Sequence, residues 1–269
     1  MENNLLEPET DPKQPVTAIP TDIAPWTTQQ TFLGTLITLV PWIVLTLKLS
    51  SLNGSVAVTK PLSPQADLTA AIVTIIFSTL IEGAFLIAPF YFANAAFRSI
   101  TPHVRLALQA LGFRHYRIGN ALFWVMLLMI VIFGINTLYS YLITVLHLNV
   151  QTNDQLILQQ SRVAPLSTYA TLFAAVFIAP FCEEVFFRGF VFPGLRRGMS
   201  VGWAIIISSL LFGVAHADPG SFPVLFVIGL ALAFLRWRTR SIWPCIMLHM
   251  LNNGIAALAI VLTMRGVIQ

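Results

Sequence analysis

Apolar residues dominate the chain from residue 31 onward, in long runs that are separated by short polar connections. A transmembrane helix needs roughly 20 consecutive apolar residues, and the runs predict seven such helices. Because no repeat or soluble domain interrupts this pattern, it predicts an all-α fold, a polytopic transmembrane helix bundle of about seven spans. The expected limits of the spans are 31–49, 68–95, 121–146, 167–187, 200–217, 222–236 and 242–264.

The sixth run is the shortest. Residues 222–236 would form a helix of roughly 22 Å, which is less than the roughly 30 Å hydrocarbon thickness of a bilayer. The polar turn before it, HADPGSFP at residues 216–223, is therefore expected below the membrane surface. Irregular backbone at that depth is tolerated beside a water-filled cavity, so the pattern predicts a wet pocket at His216.

Residues 1–30 differ from the rest of the chain because they are acidic and rich in proline. They lack the basic segment followed by an apolar segment that marks a signal peptide, and we expect them to form a disordered tail. Residues 31–160 are assigned to N-terminal transmembrane helices. Residues 161–269 are assigned to the transmembrane helices that carry the chemistry.

Composition and charge support a membrane protein. The chain has 57% hydrophobic and 10% charged residues, whereas soluble domains average about 25% charged residues. Most arginines lie in three connections that fall on one side of a seven-span bundle, and the positive-inside rule places that side and the N-terminus in the cytoplasm. This pattern argues against a nucleic-acid-binding surface, and the expected location is a bacterial inner membrane. The arginines are Arg98, Arg105, Arg114, Arg117, Arg196, Arg197, Arg236, Arg238 and Arg240.

Charged residues interrupt the fourth apolar run in the sequence EEVFFR, which contains Glu183, Glu184 and Arg188. On a helix, Glu184 and Arg188 are four residues apart with the acid first, which favours an ion pair. Glu183 then points about 100° away, since a helix has 3.6 residues per turn. We therefore expect Glu184 and Arg188 to support the structure and Glu183 to do the chemistry.

Two histidines lie on later helices. Phe212 and His216 share one helix face in FGVAH, and His249 and Asn253 share one face in HMLNN, in both cases at a spacing of four residues. Phe212 is expected to pack against His216 and to fix its imidazole ring.

Together the three helices offer a carboxylate, two imidazoles and a carboxamide in apolar surroundings, where polar groups are usually functional. A buried carboxylate is a good general base, so Glu183 could take a proton from a water molecule that His216 helps to hold. His249 and Asn253 could stabilise the developing oxyanion. Alternatively, Glu183, His216 and His249 could bind Zn²⁺ and leave a fourth position for water. The residues alone leave both schemes open.

The order and spacing of these three motifs resemble the CPBP family of CAAX proteases and bacteriocin-processing enzymes, also called the Abi family, over roughly residues 165–260. The resemblance implies an intramembrane endopeptidase, either glutamate-dependent or a metalloprotease. It implies Glu183 as the water-activating residue, His216 as its partner, and His249 with Asn253 as an oxyanion-stabilising or metal-associated pair. The implied substrates are membrane proteins or lipidated peptides, including prenylated CAAX-type sequences.

Two other functions fit parts of the pattern. A non-catalytic membrane scaffold or bacteriocin-immunity protein could use the same polar residues for binding. A proton-coupled transporter also places Glu and His side chains inside the membrane, although the chain has a single polar cluster and no inverted repeat. Glu82, within the second run, is either functional or a protonated carboxyl bonded to a neighbouring helix, and the second interpretation is favoured.

Overall fold

The computed structural model describes residues 22–55, 60–148, 150 and 152–268, and all regular secondary structure in this part of the chain is helical. The first six α-helices are α1 (Thr28–Ser55), α2 (Pro64–Ala84), α3 (Ile87–Ala96), α4 (His103–Ala110), α5 (Ile118–Val145) and α6 (Asn153–Ser161). The next six are α7 (Pro165–Phe173), α8 (Ala179–Glu184), α9 (Phe192–Arg196), α10 (Val201–Ala215), α11 (Phe222–Thr239) and α12 (Trp243–Met264). Two π-helical segments, Ala174–Ile178 and Val185–Val191, join α7, α8 and α9 into one continuous helix. We call this helix, Pro165–Arg196, the central helix.

Among the described residues, six helices are long and apolar enough to cross a membrane, and α10 is a shorter apolar helix. Large apolar side chains such as Phe32, Leu80 and Ile130 are exposed on the outer helix faces, as expected for helices that face lipid. The predicted bundle of about seven membrane-spanning helices is therefore confirmed. The six long spans are Thr28–Leu49, Pro64–Ala96, Ile118–Val145, Pro165–Arg196, Phe222–Thr239 and Trp243–Met264.

When α10 is counted with the six long spans, the shortest of the seven helices is α10, the fifth in chain order. The prediction had made the sixth helix the shortest. α10 has 15 residues, whereas α11 has 18 residues and continues to Thr239. The predicted sixth span ended at Arg236, and Arg236 was placed with the arginines of the connection that follows. The Arg236 side chain is instead fully buried inside the bundle. The predicted turn does begin at His216, which caps α10, and Ala217 has a left-handed backbone conformation with φ 49°.

The arginine-rich connections lie together at one end of the bundle. The Ser241 hydroxyl donates to the Arg114 carbonyl oxygen at 2.8 Å, which joins the first of these connections to the last. Asp22 bridges Arg196 and Arg240 at 3.4 and 3.6 Å. The pKa of Arg114 is lowered, first by burial and then by repulsion from Arg240. Attraction to Asp22 opposes this shift but is smaller. The three connections therefore share one end, as the seven-span prediction requires.

The predicted disordered tail covers residues 1–30, and residues 1–21 lie outside the described part of the chain. Residues 22–30, in contrast, are packed against the bundle. Trp26 is almost fully buried and stacks on Phe190 with 5.2 Å between ring centroids. The prediction of disorder is therefore wrong for residues 22–30, because an aromatic side chain in this segment packs against an apolar residue of the central helix.

The core is built on phenylalanines that lie within two turns after the glutamate pair in the central helix. Phe186, Phe187 and Phe190 are fully buried. Phe186 packs edge-on against Phe85 at 5.2 Å, and Phe187 packs edge-on against Phe212 at 5.3 Å between ring centroids. The central helix is thus packed against helices on several sides, and its Glu183, Glu184 and Arg188 side chains are buried in protein.

Close packing of α1 against α9 depends on Gly194, because a Cβ atom there would overlap the Thr31 hydroxyl oxygen. We expect Gly194→Ala to lower the free energy of unfolding by roughly 1–3 kcal/mol through overpacking, measured as a lower Tm of the detergent-solubilised protein. Gly202→Ala is the matched control, since nothing lies within 4 Å of a Cβ at that position. An unchanged Tm for Gly194→Ala would contradict this account of the helix packing.

Candidate active site

Glu183 and Glu184 lie in α8, between the two π-helical segments. Each π-helical segment ends two residues before a proline, Pro180 or Pro193. A proline has no N–H group to donate to the carbonyl four residues earlier, and the wider π-helical turn accommodates that missing bond. Such π-helical segments occur frequently at functional sites.

The predicted ion pair between Glu184 and Arg188 is present, and both side chains are fully buried. Arg188 Nη1 donates to Glu184 Oε1 at 2.8 Å, and Nη2 donates to the Gly229 carbonyl oxygen at 3.2 Å. The guanidinium carbon lies 4.4 Å from the centroid of the Phe212 ring, which adds a cation–π interaction. Arg188 therefore offsets the charge of Glu184 and joins the central helix to α10 and α11.

Glu184 also orients a histidine, a contact that the sequence did not predict. Its Oε1 atom lies 2.9 Å from Nδ1 of His249 on α12. An imidazole that donates Nδ1–H to a carboxylate presents its other nitrogen, Nε2, away from that carboxylate. The two residues are 65 positions apart, so no local spacing could indicate the contact.

Glu183 points away from Glu184 as predicted, toward both histidines. Its Oε2 atom lies 3.9 Å from Nε2 of His216 and 3.9 Å from Nε2 of His249. His216 Nδ1 lies 2.8 Å from the Phe212 carbonyl oxygen, which assigns the proton of the neutral ring to Nδ1. The three converging atoms are too far apart for direct hydrogen bonds. They are close enough to bind one small polar molecule jointly.

Phe212 lies between the two imidazoles and is fully buried. Its ring centroid is 4.7 Å from that of His216 and 5.6 Å from that of His249. Together with the bond from its carbonyl oxygen to His216, these contacts restrict both rings. Phe212 is thus a packing residue that sets where the two Nε2 atoms point.

Asn253 lies one turn after His249 on α12 and bonds to the central helix. Its Nδ2 atom donates to the Ala175 carbonyl oxygen at 2.9 Å, and its Oδ1 atom accepts from Asn252 at 3.2 Å. A carboxamide has two N–H donors, so one of them remains for a ligand. Asn253 is thus a link between α12 and the first π-helical segment.

A second buried arginine supports Arg188. Arg236 is fully buried, and its Nε atom donates to the Arg188 carbonyl oxygen at 3.1 Å. Gly112 passes close to this side chain, since a Cβ there would lie 2.9 Å from Arg236 Nη2. Nothing in the sequence distinguishes Arg236 from the loop arginines that follow it, and the prediction placed it with them.

The zinc hypothesis named Glu183, His216 and His249. Within the residues that the structure describes, no group of three or more His, Cys, Asp and Glu side chains is arranged to hold a metal ion. Tetrahedral zinc ligands lie roughly 3.4 Å from one another, whereas both Nε2 atoms are 3.9 Å from Glu183 Oε2. The three side chains do not fit Zn²⁺ without moving closer together.

Comparison with known proteins confirms the resemblance noted in the three motifs. Residues 165–255 match the Rce1-like family, described as type II CAAX prenyl endopeptidase Rce1-like. This segment includes every candidate site residue from Glu183 to Asn253. No solved structure matches the chain significantly.

Three curated relatives are similar over part of the chain. YdiL of Bacillus subtilis (strain 168), named as a candidate membrane peptidase, is 33% identical over 101 residues, or 38% of this chain. The membrane-embedded CAAX protease MroQ of Staphylococcus aureus (strain USA300) is 36% identical over 91 residues, or 31%. An uncharacterized protein of Mycoplasma capricolum is 33% identical over 142 residues, or 47%. These matches span 40%, 36% and 40% of the three relatives' own lengths, so the chain covers less than half of each.

The buried network predicts a large effect of losing Arg188. Arg188→Met would leave the Glu184 carboxylate buried without its main cation, which is expected to lower the free energy of unfolding by roughly 3–5 kcal/mol. Denaturant unfolding of the solubilised protein measures this change. Arg196→Met is the matched control, because Arg196 pairs with Asp22 at a partly exposed site, where a pair contributes about 1 kcal/mol or less. Equal losses in the two variants would contradict the special role of Arg188.

Proposed function

We propose that this chain, whose residues 165–255 match the Rce1-like family, is an intramembrane endopeptidase in which Glu183 activates a water molecule. The observation that carries the proposal is the convergence of Glu183 Oε2 with Nε2 of His216 and of His249, at 3.9 Å each. These atoms lie within a bundle of helices long enough to cross a membrane. A water molecule bound among them would meet a base and two imidazoles, the groups that peptide hydrolysis without a serine or cysteine nucleophile requires.

In the first step, Glu183 takes one proton from the water, and the water oxygen forms a bond to the scissile carbonyl carbon. His216 Nε2 accepts a hydrogen bond from the second water hydrogen and thereby orients the attacking oxygen. The π electrons of the carbonyl move to its oxygen. His249, protonated on Nε2 and backed by Glu184, donates a hydrogen bond to this oxyanion, and Asn253 is a second candidate donor.

In the second step, the oxyanion electrons re-form the carbonyl bond and the carbon–nitrogen bond breaks. The leaving nitrogen takes the proton that Glu183 holds. The products are an amine and a carboxylic acid, and Glu183 returns to its ionised form. The apolar surroundings strengthen each electrostatic contact, because the local dielectric constant is low.

The substrate class follows from where the site lies. A peptide must reach carboxyl and imidazole groups inside a membrane-embedded bundle, so we propose a membrane protein or lipidated peptide as substrate. Prenylated CAAX-type peptides are one candidate class, since the relative MroQ is named as a CAAX protease and the family description names CAAX prenyl endopeptidases. We further propose a bacterial inner membrane, with the arginine-rich end in the cytoplasm.

Removing the base should abolish cleavage. Glu183→Gln keeps the side-chain shape but cannot accept the proton, so we expect cleavage to fall by roughly 10²- to 10⁴-fold. The measurement is a survey of peptide termini in membranes of cells that express the wild type or the variant at matched levels. Termini that appear with the wild type and not with Glu183→Gln would establish proteolysis and display the cleaved sequence.

Asp67→Asn is the matched control for this survey. Asp67 is a buried carboxylate on α2 that accepts hydrogen bonds from the backbone N–H groups of Leu166 and Ser167, at 2.8 and 2.9 Å, and so caps α7. It should retain the wild-type termini. Identical termini from the wild type and Glu183→Gln would contradict the enzyme and favour the non-catalytic scaffold.

The metal hypothesis has a separate test. If Glu183 activates water without a metal, the purified protein treated with a zinc chelator should keep its cleavage rate within about a factor of two, since no Lewis acid is removed. Loss of activity that Zn²⁺ alone restores, with one bound zinc per chain, would instead assign Glu183, His216 and His249 as ligands.

A further inference from the structure

Glu82 is a buried carboxyl that the proposed reaction does not use. It lies in the last turn of α2, and its side chain is 9% exposed. Its Oε2 atom has no hydrogen-bond partner among the described residues. A carboxyl group inside a membrane-spanning helix is energetically costly when it contacts neither water nor a cation. Such residues are usually functional.

The packing of α2 holds Glu82 beside the glutamate pair. α2 packs against α7, the first π-helical segment and α8. Phe85, one turn after Glu82, lies 5.2 Å from Phe186 and 6.2 Å from Phe187 between ring centroids. Because Phe186 and Phe187 lie within one turn of the glutamate pair, the contact brings the end of α2 close to that turn of the central helix.

Backbone hydrogen bonds directly after Glu82 fix the end of α2. The helix is interrupted at Phe85, where the backbone N–H groups of Phe85 and Leu86 bond to the carbonyl oxygens of Glu82 and Gly83 at 3.0 Å each. A new helix, α3, starts at residue 87. The break lets Phe85 insert into the aromatic core while α2 keeps its own direction along α7.

The Glu82 and Glu183 carboxyls are close enough to interact electrostatically. Cys182, also on α8, interacts with both of them. The titratable side chains on the elements packed against α2 are Tyr169 on α7 and Cys182, Glu183 and Glu184 on α8, and none of them is a cation. Two buried like charges without a cation between them repel strongly, and one proton held by Glu82 removes that repulsion.

The unpaired oxygens match this arrangement. Glu183 Oε2, like Glu82 Oε2, has no hydrogen-bond partner among the described residues. A buried acceptor left without a donor is expensive. A carboxylic acid supplies one O–H donor, which is the group that the Glu183 carboxylate lacks.

We infer that Glu82 is a positioning residue of the same site, whose protonated carboxyl donates a hydrogen bond to the Glu183 carboxylate through one water molecule. This inference rests on the proposed function of Glu183 as the base. The bond orients the carboxylate so that Oε2 faces the histidines, and it keeps a single negative charge on the carboxyl pair. Glu82 itself does not touch the substrate.

The test separates hydrogen-bond donation from packing. In Glu82→Leu the donor is lost, and we expect kcat to fall roughly 10- to 100-fold with little change in KM, as for other residues that orient a catalytic group. In Glu82→Gln the amide N–H still donates, so most of kcat should return. The assay uses a synthetic peptide that carries the cleavage sequence found in the terminus survey. Asp67→Asn is the matched control, because it alters a buried carboxylate on the same helix that has only a capping role.

Infrared spectroscopy provides a readout that does not need substrate. The wild type should show the carbonyl band of a protonated carboxylic acid, which Glu82→Gln should lose and Asp67→Asn should keep. The band also decides the matter if Glu82→Leu fails to fold. A wild type without this band would overturn the inference, and so would a Glu82→Leu enzyme with normal kcat.

The two proposals fail in different ways. If Glu183→Gln still cleaves, the proposed function is wrong whatever Glu82 does. If Glu183→Gln is inactive while Glu82→Leu has normal kcat, Glu183 remains the base and only the role of Glu82 is refuted. If Glu82→Gln and Glu82→Leu lose activity and thermal stability equally, Glu82 is a structural residue and the inference is wrong.

Discussion

A single carboxylate oxygen, Glu184 Oε1, accepts hydrogen bonds from Arg188 and from His249, at 2.8 and 2.9 Å. Taking an unpaired charge out of water into a membrane protein is very costly, so the chain must bring these partners together for the central helix to be stable there. The arginine comes from the same helix and the histidine from α12. Folding of the bundle and assembly of the site are therefore one event, because the contact that neutralises the buried charge also orients the imidazole.

The division of work between the two adjacent glutamates follows from helix geometry. Glu184 is turned into the protein and held by its partners, so Glu183 faces a different direction, toward Nε2 of both histidines. Aromatic packing completes the arrangement, since Phe212 contacts both imidazoles and the Arg188 guanidinium. A polar site is thereby enclosed in an apolar core, where each of its few hydrogen bonds is strengthened by the low dielectric constant.

The errors of the sequence-based predictions share a physical cause. The predicted sixth span ended at Arg236, although α11 continues to Thr239, and Arg236 was grouped with the loop arginines. The side chain is instead buried, with Nε bonded to the Arg188 carbonyl oxygen. Composition also suggested that the tail extends to residue 30, but Trp26 is buried against Phe190. Whether a residue faces lipid, water or protein depends on neighbours that are distant in the sequence.

The sequence by itself determined the helical membrane fold, the approximate spans and the pairing of Glu184 with Arg188, because these depend on run length and on spacing within one helix. It also identified Glu183, His216 and His249 as polar residues that an apolar helix retains only for a purpose. Only the tertiary structure decided that His249 bonds to Glu184, that Asn253 bonds to the central helix, and that α2, which carries Glu82, packs against α8. These contacts join residues from different helices, and their distances depend on side-chain packing and on the two π-helical turns, which no periodic pattern in the chain encodes.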